Sequence, residues 1–333
     1  MAEEFSTLLK DNPRVSKVWS FDRKRLVEAF AWLKFLRELK SEDYDLVLDA
    51  HSSLRTFIAR VYFLIFSPKT RWKKISKSRW RRLGYITFKK LWPSAWRPIH
   101  LSHAAAKLAG GTGQERPELS WITTVAKPLD SHSSAPLEFG NRFKTVAIVP
   151  SSAWPGKQWR TGHYLEWMIA FRKVQPDTQF LILGMRTDRA ATELRNQLVE
   201  SGIKHKDGIG HYNLPEVAAV LSQCDLAVGV DTGLLHLSEA VGTPVVALFG
   251  PTRSDFGFGP THPQSVPCNT QIWCSPCSKD GTLCFRPFRR FKCMEEIAPE
   301  VLGLSTQSLM KETRAEPLLK SGQAEADLES RRK

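Results

Sequence analysis

Short apolar runs alternate with amphipathic stretches between residues 143 and 259, and this alternation restricts the fold more than any other feature of the sequence. Residue type and spacing predict strands at 146–149, 179–183, 225–230 and 244–249, and helices at 163–174, 191–200, 214–222 and 232–241. Strands this apolar, separated by helices, predict a parallel sheet covered on both faces. We therefore expect a doubly wound, Rossmann-like α/β domain whose ligand binds beyond the carboxyl ends of the strands.

The rest of the chain divides around this domain. A helix is predicted at 29–39, a buried strand at 44–49, and a Ser-, Pro- and His-rich linker at 127–136. A further short helix is expected at 299–309. We predict a first domain at 1–135, a second domain at 136–310 that includes a Cys-rich segment at 268–293, and a disordered tail at 311–333.

Overall composition is that of a soluble globular protein, with 42% hydrophobic and 25% charged residues among 333. No apolar run approaches the ~18 residues that cross a bilayer. The opening Met1-Ala2-Glu3-Glu4 is acidic, whereas a signal peptide begins with positive charge. These observations predict a cytoplasmic location.

The formal net charge of +14 is concentrated in residues 69–90, which contain ten Lys or Arg and no acid. Aromatic side chains are interleaved with them: Trp72, Trp80, Tyr85 and Phe88. Such a stretch binds nucleic acid, an anionic membrane surface or a phosphorylated glycolipid, or it is simply a solvated face. Because nothing in the chain resembles a nucleic-acid-binding module, we expect no nucleic-acid partner.

The strand at 225–230 leads into Asp231, Thr232 and Gly233, which open the next helix. The first turn of a helix has unpaired N–H groups and a positive dipole end, so a diphosphate is stabilised there. Gly233 lets the phosphates approach the backbone, Thr232 offers a hydroxyl, and His236 lies one turn further along. The alternative is that Asp231 and Thr232 only cap the helix.

Two more loops follow strands at the same edge of the sheet. The first contains Ser151, Ser152 and Lys157, whose ammonium could reach a phosphate as a point charge. The second contains Asp188, and a carboxylate just past a strand end can hydrogen-bond ribose hydroxyls. Taken alone, each is also compatible with an ordinary solvated side chain.

Together these segments resemble glycosyltransferase family 9, the heptosyltransferases of lipopolysaccharide core assembly. The resemblance lies in Lys157-Gln158-Trp159, in 184–188, in Leu214-Pro215-Glu216 with 218–224, in 225–236, and in 242–252 with its Phe-Gly-Pro-Thr. It implies a GT-B fold, in which two Rossmann-like domains face a cleft and the C-terminal one holds the nucleotide-sugar. It also implies an inverting transfer without an obligatory metal, with ADP-heptose as the usual donor.

The resemblance further implies roles for individual residues. Lys157 and His236 are the candidate catalytic residues, because they would lie at the departing diphosphate. The donor would be held by Ser151, Ser152, Lys157, Asp188, Asp231, Thr232, Gly233 and His236. The acceptor, a phosphorylated glycolipid of the lipopolysaccharide inner core, would meet Asp49, Arg55 and the basic stretch, which places the enzyme at the anionic cytoplasmic face of the inner membrane.

One departure concerns the start of the chain. Residues 1–22 resemble the part of the family that follows an opening strand–helix–strand unit of about 30 residues. In the family that unit carries a Gly-rich loop and the Asp that acts as general base, so no residue here inherits this role and the first domain is expected to be truncated. Either the start codon is misplaced or the chain is a degenerate member. The alternative functions are a non-catalytic relative that still binds nucleotide-sugar, or another GT-B enzyme, such as an epimerase that uses a UDP-sugar.

Five of the six cysteines fall between Cys268 and Cys293. Four of them could hold a structural zinc in tetrahedral geometry: Cys274, Cys277, Cys284 and Cys293. Their spacing is looser than that of a paired Cys-x-x-Cys knuckle, so reduced or disulfide-linked cysteines in a loop are the alternative.

Overall fold

The structure, a computed structural model, describes residues 3–10, 12–21, 29–119, 121–122 and 144–315. The helices are α1 (Glu3–Ser6), α2 (Ala29–Ser41), α3 (Leu54–Phe66), α4 (Arg79–Phe88), α5 (Leu101–Leu108), α6 (Thr161–Val174), α7 (Arg189–Glu200), α8 (Leu214–Gln223), α9 (Gly233–Ala240), α10 (Lys292–Glu295) and α11 (Pro299–Ala315). The strands are β1 (Leu46–Asp49), β2 (Arg71–Lys74), β3 (Lys144–Val149), β4 (Thr178–Ile182), β5 (His205–Asp207), β6 (Leu226–Val230), β7 (Val245–Phe249) and β8 (Val266–Asn269).

The larger sheet has six strands in the order β5-β4-β3-β6-β7-β8, and every neighbouring pair is parallel. The chain moves outward from β3 through β4 to β5, then returns to β6 beside β3 and continues to β8. The strand order therefore reverses between β3 and β6. This confirms the predicted doubly wound fold and fixes its topological switch point, where ligands of such sheets bind.

Alternate residues of the central strands pack into two separate hydrophobic cores, one on each face of the sheet, because successive side chains of a strand point to opposite faces. On one face Val146, Ile148 and Val228 pack with Trp167, Phe171 and Leu194 of α6 and α7. On the other face Ala147, Val149 and Ala227 pack with Val217, Leu221 and Leu235 of α8 and α9. Each large apolar side chain buried in this way contributes about 1.5–3 kcal/mol, so the sheet holds the loops at its edge in place.

Helix α8 has a reciprocal cap that its sequence encodes. The Asn213 side chain accepts a hydrogen bond from the backbone N–H of Glu216, and the Glu216 carboxylate accepts one from the N–H of Asn213. Pro215 lies in the first turn, where a missing N–H costs nothing. This cap fixes where the helix begins, as predicted.

The N-terminal part contains a second parallel pair, β1 with β2, joined by α3 as the crossover. Helix α2 packs beside α3. The predicted linker at 127–136, and with it the boundary between 135 and 136, lies outside the described residues. Helix α11 continues to Ala315, into the segment 311–333 that is predicted to be a disordered tail, and the remainder of that segment lies outside the described residues.

Candidate functional site

The loops that follow β3 and β6 meet at the switch point of the larger sheet. Lys157 belongs to the first loop and Asp231 to the second, and the Lys157 ammonium lies 2.6 Å from the Asp231 carboxylate. Both side chains are nearly buried, with 13% and 8% of their surface exposed. The Thr252 hydroxyl donates a second hydrogen bond, of 3.1 Å, to the same carboxylate oxygen. Lys157 is thus held in a fixed position instead of extending freely into solvent.

Asp231 and Thr232 do not cap helix α9 with their side chains. Thr232 occupies the N-cap position with extended backbone, but its side chain makes no capping hydrogen bond, and the Asp231 carboxylate is bonded to Lys157 and Thr252. The capping alternative therefore does not describe this helix. Its start has no side-chain cap, and the Lys157 ammonium is bonded to the adjacent Asp231, so the helix start is a candidate anion site.

Space in front of this helix start is open. A Cβ atom added to Gly233 would meet no heavy atom within 4 Å. His236 is exposed one turn further along, in a narrow cleft that is also lined by Thr232, Glu239 and Phe258. The structure thus brings Asp231, Thr232, Gly233 and His236 to one side of the cleft, together with Lys157.

The two serines after β3 differ in their bonding. Ser151 is buried, and its hydroxyl has no hydrogen-bond partner among the described residues. A buried hydroxyl without a partner is unusual, so this group remains available to a ligand. Ser152 instead organises its own loop, since its hydroxyl accepts from the Trp154 N–H and its carbonyl accepts from the Gln158 side chain.

Asp188 lies at the loop after β4, as predicted, at the start of α7. One of its carboxylate oxygens accepts a 2.8 Å hydrogen bond from the Met185 N–H, which closes the loop on itself. Asp188 is not in contact with Lys157 or Asp231 in any hydrogen bond or ion pair of the described chain. Its role toward a ribose stays a prediction.

The Cys-rich segment contacts both loops that form the candidate site, the loop of Lys157 and the loop of Thr252. The Ser275 hydroxyl donates to the Gly250 carbonyl (2.7 Å), and the Cys277 N–H donates to the Pro251 carbonyl (3.1 Å). Gly281 packs against Lys157 so closely that an added Cβ would lie 3.0 Å from the lysine side chain. The segment therefore positions both the Lys157 loop and the Phe-Gly-Pro-Thr loop that contains Thr252.

The zinc interpretation of this segment finds no support. Cys274, Cys277, Cys284 and Cys293 are all free, and the described residues contain no group of three or more such side chains that could hold a metal ion. Burial is the main cause that raises the pKa of Cys277 to about 11 and that of Cys293 to about 12. Neighbouring cysteine side chains, among them Cys274 and Cys284, raise both pKa values further.

On the acceptor side, Asp49 lies at the end of β1 and Arg55 lies at the start of α3. Asp49 is buried, and one of its carboxylate oxygens accepts hydrogen bonds from the N–H groups of His51 (2.9 Å) and Ser52 (2.7 Å). This bonding shapes the loop, in which Ser52 has a left-handed φ of 45°. Arg55 is exposed. Their binding of an acceptor stays a prediction.

Two residues of the basic stretch hold the two parts of the chain together. Arg82 is buried, donates to the Phe256 carbonyl and stacks on Phe258. The Lys89 ammonium donates to the carbonyls of Cys274 (3.1 Å) and Pro276 (2.8 Å). The remaining basic residues that stay exposed are Lys69, Arg71, Lys73, Lys74, Arg79, Arg81 and Lys90.

Sequence reasoning missed the contacts that close the cleft above α9. His100 bonds through one ring nitrogen to the Gly259 carbonyl (2.8 Å) and through the other to the Ser102 hydroxyl (2.6 Å). Burial lowers the pKa of His100, and the nearby His103 and His236 lower it further. The only available signal was two histidines three positions apart, which is too common to interpret.

Fold and site together define a class: an α/β protein of GT-B architecture with an open helix start at the switch point of its C-terminal sheet. The model of glycosyltransferase family 9 (heptosyltransferase) matches residues 32–284. The chain belongs to this family, and it is accordingly a glycosyltransferase.

Individual relatives agree with this assignment. Lipopolysaccharide heptosyltransferase 1 of Pseudomonas aeruginosa is 24% identical over 285 residues, which are 83% of this chain and 76% of that protein. A glycosyl transferase of family 9 from Veillonella parvula superposes with a TM-score of 0.67 at 17% identity, covering 93% of this chain and 87% of that one. Escherichia coli ADP-heptose lps heptosyltransferase II superposes with a TM-score of 0.60 at 18% identity, covering 94% and 88%. Among the described residues, no helix combines the length and the apolar character that crossing a membrane requires.

Proposed function

We propose that this chain transfers heptose from ADP-heptose to the phosphorylated inner core of lipopolysaccharide, with inversion at the anomeric carbon. The observation that carries the proposal is the Lys157–Asp231–Thr252 cluster beside the open start of α9. Relatives that are named as heptosyltransferases, one of them for ADP-heptose, support the choice of sugar and nucleotide.

In this proposal the donor diphosphate lies over Gly233, between the first-turn N–H groups of α9 and the Lys157 ammonium. The acceptor hydroxyl attacks the anomeric carbon from the opposite face and releases its proton to water, the bond from that carbon to the diphosphate oxygen breaks, and ADP departs with the electron pair. Lys157 and the helix start stabilise the developing negative charge. Because Asp231 and Thr252 fix the lysine beforehand, little reorganisation is needed when the charge appears.

We assign the remaining donor contacts from the positions of Ser151, Asp188 and His236. Ser151 offers its unpaired hydroxyl at the end of β3, Asp188 binds the ribose, and His236 lies beside the phosphates or the sugar. On the acceptor side, Asp49, Arg55 and the exposed lysines and arginines of 69–90 receive the phosphorylated glycolipid. Such an acceptor places the enzyme at the cytoplasmic face of the inner membrane.

The test is the stabilisation of the folded chain by ADP and by ADP-heptose. A ligand that binds only the folded state raises the melting temperature. Gly233→Ala should reduce this shift and Gly233→Val should abolish it, because an added Cβ meets no protein atom within 4 Å and would occupy the space of the phosphates, and valine fills more of that space. Gly303→Ala, on α11, is the matched control and should keep the full shift.

A full shift in Gly233→Val would contradict the donor site. Heptose transfer to deacylated lipopolysaccharide core is then measured with the wild-type chain. Donor binding without transfer would identify the chain as a non-catalytic nucleotide-sugar-binding relative, and stabilisation by UDP-sugars instead would indicate another GT-B enzyme.

A further inference from the structure

Helix α3 has two apolar faces, of which only one packs on the protein. Ala59 and Phe63 are buried, and the Phe63 ring lies 5.8 Å from that of Trp72 on β2. Tyr62 and Phe66 line the groove toward α2, where the Lys40 ammonium lies over the Phe66 ring. These contacts define the inner side of the helix.

The opposite side of α3 is apolar, and its side chains are exposed to solvent. At 100° per residue, its side chains span an arc of roughly 120° that points away from the inner side. Each has between 40% and 75% of its surface exposed: Leu54, Phe57, Ile58, Val61, Leu64 and Ile65. A continuous stripe of this kind marks an interaction surface, whereas scattered exposed apolar residues are ordinary.

Positive charge borders the stripe on both sides. On the same helical projection, Arg55 and Arg60 fall just beyond either edge of the apolar arc, and both are exposed. The segment that carries the stripe is basic throughout, because residues 50–114 contain 14 Lys or Arg and no Asp or Glu. The partner must therefore be apolar within and anionic at its surface.

We propose that the outer face of α3 inserts into the headgroup region of an anionic lipid bilayer, with Arg55 and Arg60 at the phosphates. An amphipathic helix with this distribution binds in the plane of the interface. A bilayer fits better than a second protein because its anionic surface lies over an apolar interior, which complements an apolar stripe flanked by arginines in a segment without acidic residues.

This contact goes beyond the electrostatic attraction of the basic stretch, because it adds burial of apolar side chains. It also orients the chain. The stripe begins at Leu54, directly after the loop that Asp49 organises, so insertion brings that loop to the bilayer surface. If the proposed function holds, the glycolipid acceptor is embedded in the same surface. The lipid contact itself does not depend on sugar transfer.

The test is flotation of the full chain with vesicles of phosphatidylcholine alone or with one third phosphatidylglycerol. We expect binding to the anionic vesicles that high salt reduces but does not abolish, because the apolar contact is not screened. Phe57→Ser/Ile65→Ser should lower the vesicle partition coefficient by roughly tenfold or more, and Arg55→Gln/Arg60→Gln should lower it at low salt only. Val199→Ser/Leu304→Ser changes equally exposed apolar residues on α7 and α11 and should bind as the wild type does.

Three outcomes would overturn the proposal. The first is wild-type vesicle binding by Phe57→Ser/Ile65→Ser, with melting temperatures showing that all variants are folded. The second is a dimer, seen by analytical ultracentrifugation without lipid, that this double variant dissociates, since a second copy would then cover the stripe. The third comes from hydroxyl-radical footprinting: protection of Leu64 and Ile65 before vesicles are added would mean that another part of the chain covers them.

Discussion

Breaking the Lys157–Asp231 ion pair should have different consequences depending on which partner is removed. Lys157→Met leaves a charged carboxylate in a nearly buried position with only the Thr252 hydroxyl as partner. Asp231→Asn leaves an unpaired ammonium instead. Loss of one partner of a fully buried pair costs about 3–5 kcal/mol. With 13% and 8% of the side chains exposed, we expect about 2–4 kcal/mol for either variant.

The two variants should differ in ADP binding. Lys157→Met removes a charge-assisted bond to the diphosphate, worth about 1.5–3 kcal/mol, so Kd should rise roughly 10- to 100-fold. In Asp231→Asn the lysine has lost its countercharge, and the diphosphate supplies one. ADP should therefore stabilise Asp231→Asn by at least as much as it stabilises the wild type.

The measurements are urea unfolding with and without ADP, and calorimetric titration of ADP. Lys144→Met is the matched control, because the Lys144–Asp225 pair has similar geometry (2.9 Å) but 32% and 27% of its side chains exposed, and it lies at the other end of β3. That variant should lose only about 0.2–1 kcal/mol and bind ADP normally. Unaltered ADP affinity in Lys157→Met, or equal stability losses in both lysine variants, would refute the reasoning.

Three further predictions concern stability and reactivity. Trp167→Ala should cost about 3–5 kcal/mol in denaturant unfolding, because the side chain is fully buried against α11. The lowered pKa of His100 means that the unfolded chain binds more protons below pH 6.5, so stability should fall as the pH drops below that value, and His100→Gln should remove this component in unfolding at pH 8 and pH 5. Alkylation of Cys277, followed by mass spectrometry, should keep accelerating up to a pH of about 11, whereas rapid alkylation at pH 8 would indicate a thiolate and reopen the question of a metal.

The core of the C-terminal sheet was predictable because its strands are buried on both faces. The runs 146–149 and 226–230 contain only apolar residues and glycine, and the structure places both strands within one or two residues of the predicted bounds. The edge strands β5 and β8 were not predictable. His205–Asp207 and Val266–Asn269 are short and partly polar, since an edge strand needs one partner and little burial.

The sequence predicts where the site residues lie relative to the strands, but it does not predict which of them contact each other. Asp231 and Lys157 are 74 positions apart, and the sequence indicated only that each follows a strand. That the two form an ion pair depends on β3 and β6 being neighbours, which is a consequence of topology. The same limit applies to the basic stretch. Arg82 and Lys89 bond to backbone carbonyls, whereas other lysines and arginines of the stretch remain exposed, and charge alone does not distinguish the two groups.

Three polar side chains of the N-terminal part bond to backbone carbonyls of the C-terminal part. Arg82, Lys89 and His100 bond to carbonyls at 256, 259, 274 and 276, so they fasten the N-terminal part to the loops around the candidate donor site. Each of those loops contacts the next: the Cys-rich segment holds the Phe-Gly-Pro-Thr loop, which holds Asp231 through Thr252, which holds Lys157. A substitution at Lys89 should therefore affect Lys157 through this series of hydrogen bonds, without any change of charge at the phosphates. This continuity explains how an acceptor side and a donor side on separate sheets can keep one geometry across the cleft.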